Sequence, residues 1–404
     1  MLTVSIVIPT LNSAKTLKGC LQSIAIQDYP KDRVEVIIAD GGSTDSTLNI
    51  ISEFSASNLH PQPSNIHIVP NNLKTGEAGK AVGVRHAKND IIAFIDSDNI
   101  LPDKDWLKRM VEPFNDPEII ASEPIEYTYR ATDGYITRYC ALLGMNDPLC
   151  LFLGNYDRLC TLTGRWTEMP HKEEDKGNYL KIELDKKSLP TIGANGFLIR
   201  RSVLLSALAS PLQPMPSTVQ PFASNLKPQT SNVSVSTSNF HPLTSSVSVS
   251  ASNLQPLTSD ISFPDYLFDI DVIYELLDSS PISSINLIKF AKVKMGIIHI
   301  FSGDVETFAR KQRRRIKDYL YYNKLGVRKY PWKSASKIKI LKFILYCLIA
   351  IPLFAESLKG YIKRPDKAWF FHPIACWLTL WQYGWGRVSG IFGVRELKRD
   401  GWKQ

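Results

Sequence analysis

The chain has no C-x-x-C pair among its six cysteines (Cys20, Cys140, Cys150, Cys160, Cys347 and Cys376). Neither a zinc site nor a disulfide framework is indicated, and a reducing, cytosolic setting fits such scattered thiols. The first residues, MLTVSIVIPTLN, lack the basic stretch and long apolar run of a secretory leader. Charge is almost missing from residues 209–262, where Lys227 and Asp260 stand alone among Ser, Thr, Asn, Pro and Val. Within that stretch ASNLKP, TSNFHP and ASNLQP begin at Ala223, Thr237 and Ala251, a period of 14 residues. So little apolar material does not offset the entropy of ordering, and a low-complexity, disordered insertion is expected there. The other meaning of a fixed period, a small β-solenoid, would stack three short copies over little core. A related fragment, ASNLHPQPSN, runs from Ala56 to Asn65 in a second loop.

What is present is unevenly charged. From Lys289 onward 25 Lys/Arg face 7 Asp/Glu, an excess of +18 in a chain whose total is +9, so the first 288 residues carry −9. An acidic body with a basic tail directs that tail toward an anionic surface, a membrane or a nucleic acid. Two apolar stretches favour the membrane. IKILKFILYCLIAIPLFAESL (338–358) is long enough to span a bilayer but holds Lys339, Lys342, Pro352 and Glu356. The Trp-rich AWFFHPIACWLTLWQYGWGRVSGIFG (368–393) holds His372, Gln382 and Arg387. The link between them and both outer flanks are basic, which puts the link on the wrong side if each stretch spans once. Residues 336–404 are therefore expected to be membrane-associated hydrophobic helices that lie in the interface or form a re-entrant hairpin, with the body cytoplasmic and no nucleic-acid partner. An ordinary buried pair of helices is the alternative.

Residues 1 to about 110 alternate short β-branched runs with helical patterns: VSIVIPT, AKTLKGCLQSIAIQ, VEVIIAD, STLNIISEF, NIHIV, GKAVGVRHA and IIAFID. Strands apolar on both faces, separated by amphipathic helices, predict an α/β fold with a mostly parallel open sheet flanked by helices. In such sheets ligands bind outside the carboxyl ends of the strands. Pro9, Thr10 and Asn12 end the first strand, and Asp40, Gly41, Gly42 and Ser43 end the second. A carboxylate at a strand tip can accept hydrogen bonds from a base or ribose while the glycines allow close approach. The competing reading is structural: Ser43 or Asp45 caps a helix starting near Ser46. IIAFIDSDN ends the fourth strand-like run with Asp96 and Asp98, two acids that repel unless a cation sits between them.

PTLN, DGGSTDST and a strand-terminal DxD, in this order and at these spacings over residues 3–102, resemble a family 2 glycosyltransferase. The resemblance implies the GT-A fold and an inverting transfer from a nucleoside diphosphate sugar donor, assisted by Mg²⁺ or Mn²⁺. It places Pro9, Thr10 and Asp40 at the base and ribose, and Asp96 and Asp98 at the metal and ribose. A hard divalent cation takes one or two carboxylates and completes its shell with a diphosphate and water, which suits a DxD. Lys80 and Arg85, in GEAGKAVGVRHAKND, fall where the family carries a basic helix start near the donor; a solvated helix face is the alternative. The family's base motif is matched by FDID, with Phe268 where glutamate would stand. Asp269 is the candidate base and Asp271 the lesser one, against acids that merely complement a helix dipole. GANGFLIRRSVL resembles the segment lining the acceptor pocket, through Asn195 and Gly196. QRRRI (312–316) is similar to a shortened QxxRW element whose arginines hold diphosphate or face lipid. His299 in GIIHIF is read as a core histidine, with metal ligation as the alternative. On this reading the chain divides into a first catalytic part (1–208), the insertion (209–262), the rest of the catalytic domain (263–335) and the membrane-associated region (336–404). The acceptor would be a carbohydrate or lipid-linked hydroxyl in polysaccharide or glycolipid synthesis. A nucleotidyltransferase, or a non-catalytic membrane scaffold of the same fold, are the competing classes; PTLNSAKT lacks the glycines of the former's phosphate loop.

Overall fold

The computed structural model describes residues 1–56, 65–209, 263–278, 287–331, 336–391, 393–394 and 397. The repetitive stretch from 210 to 262 and its partial copy at 57–64 lie outside them. Among the described residues ten strands form one sheet: β1 (Val4–Thr10), β2 (Val34–Asp40), β3 (Asn65–Pro70), β4 (Ile91–Phe94), β5 (Asn99–Ile100), β6 (Ile119–Thr128), β7 (Lys172–Asp175), β8 (Tyr179–Asp185), β9 (Phe197–Arg200) and β10 (Leu287–His299). Their order is β3-β2-β1-β4-β9-β6-β10-β8-β7, with β5 paired to β10.

The block β3-β2-β1-β4 is parallel throughout, as the alternation of strands and helices in the first hundred residues requires. Every residue of β1, β2 and β4 is buried. Successive residues serve opposite faces: Ile6, Ile8, Val36 and Ile38 join one core with the helix Leu17–Ala25 and Trp106. Val7, Ile37, Ala39 and Phe94 join the other, beneath the helices Gly76–His86, Arg201–Ala209 and Asp269–Asp278. That period of two, with apolar residues at both parities, is why these strands read as near-continuous hydrophobic runs, interrupted inside by Ser5 and Glu35. Beyond β4 the sheet turns mixed. β9 is antiparallel to both β4 and β6, and β10 is parallel to β6 but antiparallel to β8. β10 comes from beyond the insertion, so the sheet that carries the acids is completed by a strand about two hundred residues downstream of β4.

The C-terminal apolar stretches are helices that pack on the body through two smaller clusters. Lys337–Ile349 and Ile351–Lys363 meet at 93° across Ala350, which takes a left-handed φ of 62°, just before Pro352. A proline two residues into a helix cannot continue the preceding one, so the break belongs where it is. The helix His372–Ile391 follows. Among the described residues no single helix is long and apolar enough to cross a membrane.

Two consequences are measurable. The chain leaves the described body at the helix Arg201–Ala209 and returns at Phe263, and the two ends are neighbours: Leu204 and Leu208 share a core with Leu267 and Ile270, and Arg85 Nη2 donates to the carbonyls of Phe263 and Pro264. Surface loops accept length cheaply, so removal of residues 212–258 is expected to leave the urea midpoint and turnover measurable; loss of folding on deletion would show that the segment is structural. A Cβ on Gly83 would lie 2.2 Å from Val7 Cγ1. Gly83→Ala is expected to destabilise by about 1–3 kcal/mol in urea unfolding, against the ordinary preference of helices for alanine.

Candidate active site

The acids stand where strands end. Asp40 closes β2, and its carboxylate is taken up by its own loop. Oδ2 accepts from the backbone N–H groups of Gly42 and Ser43, both at 2.9 Å, while Oδ1 accepts from Ser43 Oγ at 2.6 Å and Thr10 Oγ1 at 3.1 Å. Asn12, left-handed at φ 51°, accepts from the N–H groups of Thr44 and Asp45, tying the loop after β1 to the loop after β2. Gly41 lies against Leu11 and Lys74, and the ring of Pro9 packs on Gly79, where a Cβ would come within 2.8 Å. Asp45 accepts from the N–H of Thr47 and so starts the helix Thr47–Ala56, as the capping reading requires. These residues form a rigid shelf at the ends of β1 and β2.

Beside the shelf, IDSDN makes a tight turn after β4. Asn99 closes it from both ends: its N–H donates to the carbonyl of Asp96 at 2.9 Å and its Oδ1 accepts from the N–H of Asp96 at 3.0 Å. Ser97 Oγ donates to Ser13 Oγ at 3.0 Å, which joins this turn to the shelf. Asn99 then opens β5, opposite His299 at the end of β10. That register brings His299 Nε2 to 3.4 Å from Asp98 Oδ2, with its Nδ1 facing Asn146 at 3.1 Å. His299 therefore faces the acids of the β4 turn, where GIIHIF was read as placing a core histidine. Lys311, in the helix Val305–Leu325, places Nζ 3.6 Å from the same oxygen of Asp98. Burial pushes the Asp98 carboxyl up, but His299 and Lys311 together outweigh it and hold it below the usual carboxylate range.

Asp269 begins the helix Asp269–Asp278 and pairs with Lys80, which reaches inward from the helix Gly76–His86. Both side chains are about nine-tenths buried, and Asp96 acts on both electrostatically. Burial raises Asp269 to about 6, with Lys80 opposing the shift. Only Oδ2 of Asp269 meets Lys80; Oδ1 is buried and has no hydrogen-bond partner among the described residues. Asp271 is turned elsewhere. Its carboxylate accepts from Arg328 Nε at 2.5 Å and the N–H of Tyr330 at 2.7 Å, so of the two candidate bases only Asp269 joins the acids of β4. Arg85 likewise faces away, holding Phe263 and Pro264.

Opposite Asp269 runs the loop from Gly193 to Gly196. A Cβ on Gly193, whose φ is 107°, would lie 2.5 Å from Asp269 Cβ, so only glycine lets the loop come this close. Asn195 accepts from Asn99 Nδ2 and donates to Tyr127 Oη, each at 2.9 Å, and Gly196 fits against Ile297 and Trp106. Beneath the loop lies a buried group of four charges. Arg158 pairs with Glu123 at 3.1 Å and with Asp157, and Lys292 pairs with Glu123. Arg158 Nη2 donates to the carbonyls of Ala194 at 2.6 Å and Asn195 at 3.2 Å, and Glu123 accepts from the N–H of Gly193 at 3.1 Å. Burial lowers Lys292 to about 8 despite Glu123. The QRRRI element does not reach the acids: Gln312 donates to the carbonyl of Asn146, Arg315 donates to Gln312 and stands 3.7 Å from Asp147, and Arg314 pairs with Asp318. Lys311, one residue earlier, is the cation that does.

Sequence reasoning left out Asn99, Lys311, Tyr127, Glu123 and Arg158. Asn99 was visible as the fourth residue of DSDN; the others come from distant segments and carried no local signal.

The profile of Glycosyl transferase family 2 matches residues 5–205. Glycosyltransferase AglE of Haloferax volcanii is 30% identical over 144 residues, 35% of this chain and 45% of AglE. A dolichyl N-acetyl-alpha-D-glucosaminyl phosphate 3-beta-D-2,3-diacetamido-2,3-dideoxy-beta-D-glucuronosyltransferase of Methanococcus voltae is 33% identical over 111 residues, 28% of this chain and 33% of that protein. The poly(ribitol-phosphate) beta-N-acetylglucosaminyltransferase TarS of Staphylococcus aureus is 31% identical over 112 residues, 27% of this chain and 18% of TarS. The chain thus spans less than half the length of these relatives. Among solved structures, the mannosyltransferase PcManGT from Pyrobaculum calidifontis, in complex with GDP-Man and Mn²⁺, aligns at 14% identity with a TM-score of 0.46, covering 95% of this chain and 87% of that one.

Replacing Arg158 leaves Glu123 and Asp157 short of a buried cation. Arg158→Met is expected to cost about 3–5 kcal/mol in urea unfolding, and a cost under about 1 kcal/mol would show the network to be unimportant to the loop.

Proposed function

Residues 5–205 make this chain a member of glycosyltransferase family 2, and from that membership we propose that it moves a sugar from a nucleoside diphosphate sugar to an acceptor hydroxyl with inversion, assisted by Mg²⁺ or Mn²⁺. The observation that carries the reading is Asp269: a buried carboxylate with one oxygen on Lys80 and the other without a partner, set against the acids of the β4 turn. An unpaired buried acceptor is costly and rare, and a functional site is a common reason for one.

The residues fit a divalent ion in part. Asp96 and Asp98 are hard oxygen donors and His299 adds a nitrogen. Among the described residues no three His, Cys, Asp or Glu side chains converge on one point, so a diphosphate and water would supply the rest of the shell. When bound, the ion would stabilise charge on the departing diphosphate. Asp269 Oδ1 takes the proton of the acceptor hydroxyl, whose oxygen forms the new bond to the anomeric carbon. The bond from that carbon to the phosphate oxygen breaks on the opposite face, and its electron pair leaves with the diphosphate. A single displacement of this kind inverts the carbon. The loop Gly193–Gly196 backs the acceptor side, and the shelf at Pro9, Thr10, Asn12 and Asp40 to Gly42 receives the nucleotide. Relatives named for a dolichyl-linked and a poly(ribitol-phosphate) acceptor support a carbohydrate or lipid-linked acceptor in cell-envelope polysaccharide or glycolipid synthesis.

The test is turnover on a panel of UDP-, GDP- and dTDP-sugars with Mn²⁺. Asp98→Asn and Asp269→Asn are each expected to lower kcat by about 10²–10⁴ while the fold survives. A base acts ionised, so protonation removes it: kcat/KM is expected to fall about tenfold per pH unit below about pH 6, where Asp269 titrates. Retention of most activity in Asp269→Asn would place the base elsewhere.

A further inference from the structure

We propose that the three C-terminal helices dock this chain on the surface of an anionic lipid bilayer, without crossing it, through apolar stripes that face away from the protein. A helix on a water-soluble surface turns a polar face outward. These helices do not. In Lys337–Ile349 the inner face is Phe343 and Cys347, yet Ile338, Leu341, Leu345 and Leu348, at helical spacing, are all exposed, Ile338 to 80%. In Ile351–Lys363 Leu353 and Gly360 face inward while Ile351, Phe354, Leu358 and Ile362 are exposed. In His372–Ile391 Ala375 and Cys376 face inward while Trp377, Trp381 and Trp385 are each more than half exposed, the last two stacked with ring centroids 6.5 Å apart. The helices touch one another, and Trp377 Nε1 donates to the carbonyl of Cys347 at 2.7 Å, so the stripes sit on one assembly. Contiguous exposed apolar area of this extent marks a docking surface.

Charge selects the occupant. All eight Lys and Arg residues from Lys337 to Arg387 are exposed. The two acids in that range, Glu356 and Asp366, are partly buried and paired with His372 and Arg138. A second copy of the chain would bring the same positive rim against itself, whereas anionic headgroups complement it and tryptophan prefers the headgroup level. Length excludes a crossing by the first two helices: 13 residues each reach about 20 Å, against about 30 Å of hydrocarbon, and the 93° bend prevents them from adding end to end. Surface docking is what remains for this geometry.

The full chain, incubated with phosphatidylcholine vesicles with and without phosphatidylglycerol, is expected to float with the anionic vesicles, and high salt is expected to weaken the association. Lipids brominated on their acyl chains are expected to quench its tryptophan fluorescence. Phe354→Asp and Trp381→Asp, both at exposed positions, are expected to weaken flotation about tenfold or more with an unchanged circular dichroism spectrum. Lys359→Glu with Lys367→Glu is expected to remove the preference for anionic lipid, which keeps the test informative should an apolar variant misfold. Failure of the wild-type chain to float with either vesicle overturns the proposal, and so does a dimer that Phe354→Asp splits in the absence of lipid binding. None of these outcomes touches donor turnover by the soluble assay, so the docking surface and the transfer reaction stand or fall separately.

Discussion

Like charges at the end of a sheet set the terms for everything around them. Two carboxylates within about 4 Å repel by about 4 kcal/mol at the effective dielectric of a protein surface, several times the net worth of one hydrogen bond. The chain answers by setting nitrogen donors, most of them cationic, beside several of these acids. Lys80 holds Asp269, Lys311 and His299 stand at Asp98, and Arg158 and Lys292 neutralise Glu123 and Asp157 beneath the acceptor loop. Asp40 solves the problem differently, spending its carboxylate on four donors of its own neighbourhood. Lys80 ties Gly76–His86 to Asp269–Asp278 at the point where the base sits, beside the hydrogen bond from the N–H of Leu267 to the carbonyl of Glu77 and the core the two helices share.

Legibility in the sequence followed distance along the chain. The first four strands and the helices between them were readable because short β-branched runs alternate there with helical patterns, and the strand ends followed from the runs. Asp96 and Asp98 were readable as a pair because two acids one residue apart stand out at the end of an apolar run. The preference for Asp269 over Asp271 rested on the resemblance alone, since both open the same helix; the contacts that turn Asp271 aside come from Arg328 and Tyr330, almost sixty residues on. Lys311 was hidden beside a motif that attracted notice for its arginines, of which Arg315 fastens the helix to Asn146 and Asp147. β7 escaped notice for the opposite reason, since KEED is exposed along its whole length and carries no apolar signal.

The helix Val305–Leu325 joins two regions that the sequence presents as unrelated. At Lys311 it touches Asp98; a residue later Gln312 meets Tyr383 of the tryptophan-bearing helix, and Ile316 packs where Gly386 leaves no room for a Cβ. One helix therefore connects the acids to the C-terminal helices, through contacts at neighbouring turns.

The position of His299 depends on a matter of parity. β10 pairs with β6 through two irregularities, one between Lys289 and Phe290 and one between Val293 and Gly296, before reaching β5 with His299 opposite Asn99. Adjacent residues of a strand point to opposite sides, so each offset reverses which side chains look toward Asp98. A one-residue insertion or deletion between Gly296 and His299 would present an isoleucine neighbouring His299 to the acids and turn the imidazole to the other face, leaving every residue of the site encoded and one of them on the wrong side of the sheet.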